Sequence, residues 1–197
     1  MMGSNGGLLS VDRTCRQPIA LVESGPIGGC IGSGAYAEAL GFKSVIAFDM
    51  GGTTAKTSLI QGGVVSVAQG YHIGGYASGH PVIFPVVDIV EVGAGGGSIA
   101  SLDEDGALKV GPRSAGGHPG PVCYGQGGTE PTVTDANAAL GRLGPGDFLG
   151  GEMKLDVAAA TKAIKERVAD KLGISVIAAA EGILRIAATS MSWAVKG

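Results

Sequence analysis

The chain has 197 residues, a formal net charge of −3 and 45% hydrophobic residues, with a mean hydropathy of +0.31. That length holds one ordinary domain with a sizeable core. The composition excludes a disordered polypeptide and a nucleic-acid surface driven by basic charge, and no apolar run reaches membrane-spanning length.

Cys15, Cys30 and Cys123 are scattered and odd in number, so no disulfide scaffold is expected. The Gly/Ser/Asn-rich start lacks a secretory pattern, which makes a reducing cytoplasm the default. Gly and Pro together make 46 residues, about 23% of the chain, with no collagen period. Charged residues are only 16%, against about 25% in an ordinary domain. An Ala- and Gly-rich sequence accounts for this blandly; the sharper reading is a surface covered by further protein.

In chain order, Ser24-Gly25-Pro26-Ile27-Gly28-Gly29 opens a helix over Cys30 to Leu40, stopped by Gly41. Val45 to Phe48 reads as a buried strand running into Asp49-Met50-Gly51-Gly52-Thr53-Thr54. Ala55 to Ile60 and Val64 to Gln69 form a hairpin around Gly62-Gly63. Val82 to Val92 is a second β run, interrupted by Pro85. It ends in Gly93-Ala94-Gly95-Gly96-Gly97-Ser98. Ile99 to Leu102 and Ala107 to Val110 pair as another hairpin, and 111–131 is a long irregular stretch.

The last third is helical. Thr134-Asp135 caps a helix over Ala136 to Leu143, broken by Gly144-Pro145-Gly146-Asp147. Asp156 caps Val157 to Leu172, where Val157, Ala160, Ile164, Val168 and Leu172 share a face. Ser175 to Val195 is apolar nearly all round, so it is expected to be buried, with Trp193 in a helix interface. The pattern predicts a β-rich part over 1–133 and a helical part over 134–197 of one α/β lobe.

The strongest chemical signal is the strand followed by Asp49, Gly51, Gly52, Thr53 and Thr54. A strand end delivers a carboxylate, and two glycines let backbone amides converge on an anion such as phosphate. The threonine hydroxyls add donors, Asp49 can hold Mg²⁺, and Lys56 can meet a phosphate. The alternative is a plain Gly-Gly turn with an Asx cap. The hairpin follows the motif rather than containing it, which favours phosphate. No Walker A loop occurs.

The Gly93–Ser98 run is a bend between strands or the second wall of the same anion site, through Gly95 and Gly96. Asp88, Glu91, His118, Cys123 and Asp135 include the side-chain types of a Zn²⁺ or Mn²⁺ site, without metal-motif spacing. Solvated or capping roles are the alternative for each, and Asp135 is a good cap. His72 and His80 flank a Gly/Tyr loop, where they are surface residues or ligand contacts.

Taken together, Ser4-Asn5-Gly6-Gly7, Ser24-Gly25-Pro26-x-Gly28-Gly29 and Asp49-Met50-Gly51-Gly52-Thr53-Thr54 resemble one known family. Gly93 to Ala100, Gly111-Pro112-x-Ser114-Ala115-Gly116, Pro119-Gly120-Pro121, Cys123-Tyr124-Gly125 and Thr132 to Asn137 continue the match. The order and wording resemble the hydantoinase A / 5-oxoprolinase family, which includes acetone and acetophenone carboxylase subunits.

That resemblance implies an actin-like ATPase architecture with ribonuclease-H-like domains: a mixed sheet with flanking helices and a helical C-terminal part. It implies ATP and Mg²⁺, and phosphorylation of the carbonyl oxygen of a cyclic amide or ketone. A second divalent metal through Asp49, Asp88, His118 and Asp135 is a further expectation, although His118 stands where relatives often have an acidic residue.

Asp49 is then the catalytic carboxylate, and Gly51, Gly52, Thr53, Thr54, Lys56, Gly95 and Gly96 are cofactor-binding. The expected function is part of an ATP-dependent hydrolase of cyclic amides. The alternatives are a ketone carboxylase subunit, or a non-catalytic nucleotide-binding or assembly fragment. Relatives are several times longer, so a central-lobe fragment is expected, inactive alone. Its partners are the remaining lobes and a hydantoinase B-type subunit, with no nucleic acid and no membrane.

Overall fold

The structure is a computed structural model that describes every residue except 69, 74–78, 145, 147 and 197. The strand end at Gln69, most of the loop between His72 and His80, and Pro145 and Asp147 of the helix break therefore lie outside the described residues. The chain forms two compact units: Met1–Asp49 with Lys56–Val90, and Met50–Ala55 with Glu91–Gly197. The division does not follow the composition change at 133/134. The β hairpin over 98–114 shares its core with the C-terminal helices, through Ala100 and Val110.

In the first unit, α1 (Val11–Arg16) is capped by Ser10, whose hydroxyl accepts from Arg13 N. A 3₁₀ turn, Pro18–Leu21, leads to α2 (Ser24–Ala39). This helix starts six residues before the expected Cys30. Its early glycines are tolerated as ordinary helical positions, since a Cβ at Gly28, Gly29 or Gly32 would meet nothing within 4 Å.

Strands β1 (Ser44–Met50), β2 (Ala55–Gln61) and β3 (Val64–Val65) lie side by side in that order. The β2–β3 turn places Gly62 at φ +59° and Gly63 at φ +75°, the paired positive φ values of a tight hairpin turn. Next come β4 (Val67–Ala68), β5 (Tyr71–Ile73), β6 (His80–Val82), β7 (Val86–Val87) and β8 (Val90–Val92). β4 pairs with β7 and β5 with β6, both antiparallel.

One face of β1 and β2 packs Ala47 and Ile60 against Cys30 of α2. On β1 and β2, Ile46, Phe48 and Leu59 are 48%, 47% and 50% exposed. They form an exposed apolar array on one face of the two strands.

In the second unit, β9 (Ser98–Leu102) and β10 (Leu108–Ser114) form an antiparallel hairpin, with Val110 opposite Ala100. Four helices follow: α3 (Val133–Ala139), α4 (Val157–Ile164), α5 (Asp170–Leu172) and α6 (Val176–Lys196). Between α4 and α5 the chain makes a π turn, Lys165–Ala169. The apolar repeat Ala160, Ile164, Val168, Leu172 has a strict spacing of four, which drifts around a helix of 3.6 residues per turn. The wider turn takes up that drift.

α6 is not buried all round. Ala179, Ala180, Ile183 and Ala187 face the core, whereas Ile177 is 52% and Trp193 69% exposed. Trp193 does not enter a helix interface; Lys196 Nζ lies 5.9 Å from its ring. Among the described residues, no single helix is long and apolar enough to cross a membrane.

The cap of α3 is two to three residues earlier than expected. Thr132 is the N-cap and Asp135 the third helical residue of a reciprocal capping box. Asp135 is fully buried and its carboxylate accepts from Val122 N, Cys123 N, Thr132 N and Thr132 Oγ1 at 2.7–3.1 Å. It thereby pins the irregular 115–131 segment to the helix. Replacing Asp135 by Ala strands three buried amides. The expected loss is about 3 kcal/mol or more in urea unfolding; a loss under about 1 kcal/mol would contradict this role.

Candidate functional site

The turn from Gly51 closes on itself, Gly51 N donating to Thr54 O at 2.9 Å. The second glycine run docks onto it within the same unit. Gly96 N donates to Gly51 O at 3.0 Å and Gly97 N to Gly52 O at 2.6 Å. The approach tolerates no side chain: a Cβ on Gly95 would stand 2.7 Å from Gly51 O, and one on Gly97 2.9 Å from Gly52 O. The run is itself braced. Gly96 O accepts from Thr134 N and Thr134 Oγ1 at 2.8 and 2.9 Å, Gly97 O from Ala115 N at 2.8 Å, and Ser98 Oγ from Gly95 N at 2.9 Å.

With its carbonyls engaged, the turn keeps its donors. The amides of Gly52 and Thr53 meet no acceptor among the described residues. Thr53 Oγ1 lies 3.2 Å from Ser114 Oγ at the end of β10, and Ser114 Oγ accepts from Gly116 N at 3.1 Å. Free amides beside hydroxyls, on a backbone braced from behind, are a cradle of donors of the kind that can take an anion. Gly95 and Gly96, expected to bind cofactor directly, lie under this cradle, and the Gly96 amide is taken by Gly51. Ser98, Ser114 and Thr134 were not among the expected site residues, although all three sit inside the motifs that carry the resemblance.

Lys56 is engaged elsewhere. In the first unit its Nζ donates to Glu23 Oε2 at 2.7 Å, and Tyr71 Oη donates to the other Glu23 oxygen. Glu23 N in turn donates to Ser4 Oγ at 3.0 Å. Glu23 is 4% and Ser4 0% exposed. A charge that deep is kept only by its partners, so Lys56 balances Glu23 rather than reaching out as a free phosphate ligand.

Asp49 ends the first unit's part of β1 with an exposed side chain. Within that unit it lines a small cavity of about 50 Å³ with Cys30, Ser33, Lys56 and Thr57. Burial, and secondarily the charge of Asp49, push the Cys30 thiol up from its ordinary pKa.

The expected metal set does not assemble. Among the described residues no group of three His, Cys, Asp or Glu side chains could hold a metal ion. Asp135 is committed to four protein donors, as a cap. Cys123 is fully buried; burial first, then the neighbouring Asp135 charge, hold its thiol far above the usual range, so it stays protonated. Asp88 and His118 are exposed, and Asp88 meets Ser66 and Ser58 through its backbone.

Residues 1–197 match the family described as Hydantoinase/oxoprolinase. The chain belongs to that family. An uncharacterised protein of Methanocaldococcus jannaschii is 47% identical over all of this chain and 30% of its own length. A nucleotide-free structure from ATP-dependent acetone carboxylation superposes with TM-score 0.79 at 37% identity, covering 93% of this chain and 25% of that one. The ATP-dependent caprolactamase of Pseudomonas jessenii gives TM-score 0.75 at 43% identity, covering 90% and 25%. The α/β fold of mixed sheets and helices matches these enzymes, and the chain spans roughly a quarter to a third of their length.

The glycine docking is testable by a matched pair. Gly95→Ala forces its Cβ against backbone and is expected to lose about 1–3 kcal/mol in urea unfolding. Gly28→Ala, in open space on α2, is expected to gain up to about 1 kcal/mol. Equal effects at the two positions would contradict the close approach.

Proposed function

We propose that this chain is the phosphate-holding lobe of an ATP-dependent enzyme that activates a carbonyl by phosphorylation, in the manner of hydantoin- and oxoproline-opening hydrolases. The observation that carries the reading is the Gly51–Thr54 cradle. Its carbonyls are bound from behind by Gly96 and Gly97 while the Gly52 and Thr53 amides stay free. The free Gly52 and Thr53 amides and the Thr53 hydroxyl fit a nucleotide's terminal phosphates, and the exposed Asp49, two residues before Gly51 in sequence, is the carboxylate proposed for Mg²⁺. ATP, when bound, would supply the phosphoryl group that makes an amide carbonyl oxygen a leaving group; water adding at that carbon would then release inorganic phosphate and open the ring C–N bond.

Within that reaction this chain positions and stabilises. The Gly52 and Thr53 amides and the Thr53 and Thr54 hydroxyls hold the phosphate oxygens. Asp49 would hold the magnesium ion. Gly95 and Gly96 fix the cradle's height and contribute no ligand atom. Lys56 keeps the strand leaving the cradle anchored to Glu23. The residues do not support the second divalent metal, and no step is routed through one.

We assign the lobe to the actin-like, ribonuclease-H-like architecture; the strand, Asp-x-Gly-Gly-Thr-Thr turn and hairpin support it. The exposed Ile46, Phe48 and Leu59, together with the shorter span than its relatives, support docking of further lobes and of a hydantoinase B-type subunit. Its three free thiols are in keeping with a cytoplasmic setting. A ketone carboxylase is the second reading, favoured by the acetone carboxylase superposition.

Asp49→Ala in the complete enzyme is expected to lower substrate-dependent ATP hydrolysis about a hundredfold or more. Hydrolysis at the unaltered rate would remove Asp49 from this role.

A further inference from the structure

Separate features of the second unit converge on the hydroxyl of Ser114. The first is register. In the β9–β10 hairpin Leu108 faces Leu102 and Val110 faces Ala100. Continued without a break, that register would set Pro112 opposite Ser98. Ser114 stands there instead, so β10 carries two extra residues between Val110 and Ser114. A bulge of this kind re-aims the side chain that follows it. Gly111, at φ +73°, supplies the backbone conformation the bulge needs.

The second feature is space. A Cβ on Gly97 would stand 2.9 Å from Ser114 Oγ, so the glycine there leaves the hydroxyl its room. The third is anchorage. Ser114 Oγ accepts from Gly116 N at 3.1 Å, while the next amide, Ala115 N, donates to Gly97 O at 2.8 Å. Ser114 is thereby held half-buried, with Thr53 Oγ1 of the cradle 3.2 Å away.

A hydroxyl has one proton to donate and two lone pairs to accept with. Two arrangements therefore exist for the Thr53–Ser114 contact. If Thr53 donates, Gly116 N and Thr53 fill both lone pairs of Ser114, and the Ser114 proton meets no acceptor among the described residues. If Ser114 donates, its proton is used, and the spare proton sits on the exposed Thr53, beside the free Gly52 and Thr53 amides. A phosphate in the cradle is an acceptor there. It selects the second arrangement, because only then does Thr53 have a proton for it.

We propose that Ser114 is a positioning residue for phosphate: by donating to Thr53 Oγ1 it commits the Thr53 proton to the bound phosphate oxygen. The inference rests on the phosphate-cradle reading above and adds to it a residue that touches no ligand. Ser114 then acts on the phosphate only through Thr53.

The test is a double-mutant cycle, read by calorimetric titration of Mg-ADP into this chain, with the 51–54 amides followed by NMR. Ser114→Ala is expected to weaken Mg-ADP binding about tenfold, and Thr53→Val by at least as much. The two losses are expected not to add: the double variant binds within about twofold of Thr53→Val alone. A serine that merely braced the Gly116 backbone would cost the same with or without the Thr53 hydroxyl. Melting curves check that each variant is folded. Should Ser114→Ala fail to fold, Ser114→Cys takes its place in the cycle; its thiol is only a weak donor, and it is expected to weaken binding only while Thr53 is present.

Additive losses, or a Ser114→Ala protein that binds Mg-ADP as the native chain does, overturn the proposal. If Mg-ADP still shifts the 51–54 amides of the native chain in that case, the Ser114 assignment alone falls. If Mg-ADP shifts none of those amides in the folded native chain, the phosphate-cradle reading falls and this inference with it.

Discussion

Two backbone hydrogen bonds, Gly96 N to Gly51 O and Gly97 N to Gly52 O, set the height at which the Gly51–Thr54 turn stands over its own unit. A turn of two glycines is floppy by itself, because glycine loses more conformational freedom on ordering than any other residue. Binding the carbonyls from behind turns a loose loop into a fixed row of donors. The brace reaches further back through Thr134 to α3, and through Ala115 to the irregular segment. It depends on glycine at 95 and 97, since any Cβ there would collide with the turn's backbone.

Asp135 is the second fixed point. One buried carboxylate closes the α3 cap and holds the backbone of Val122 and Cys123. The 115–131 segment, irregular in sequence and structure, is thus tied down at one end by Asp135 and at the other by Ala115 on Gly97. Chemistry that needs donors placed to a few tenths of an ångström is better served by such bracing than by a free loop. In the first unit the Ser4–Glu23–Lys56–Tyr71 network does the comparable work. It fixes α2 and β2 with a charge pair that neither partner could leave without stranding the other.

Much of this was legible in the sequence, and the misses have physical causes. Gly62-Gly63 announced its hairpin because the turn type needs positive φ at both residues. Asp156 announced its helix because a cap is a local bond, to Ala159 N. α2 begins at Ser24 rather than Cys30 because the Ser24–Gly29 opening is itself helical; low helix propensity of its glycines masks this in the sequence. Asp135 was misplaced because a capping box puts acid three residues inside the helix, and its links to Val122 and Cys123 are set by the fold. Glu23 was missed for the same reason: Lys56 lies 33 residues away and Tyr71 48, and no local pattern joins them. Asp49, Asp88, His118 and Asp135 resembled a metal set in residue type alone; their spacing never implied one.

The central claim is that the Gly51–Thr54 turn is a preformed phosphate cradle. The most direct measurement is calorimetric titration of Mg-ADP and Mg-ATP into the folded chain, with Gly95→Ala in parallel. The account predicts binding by the native chain, with the nucleotide affinity sharply weakened when Gly95 gains a side chain and lifts the turn. Undiminished affinity in a folded Gly95→Ala protein would contradict it, because the phosphate would then be held by something other than the braced turn.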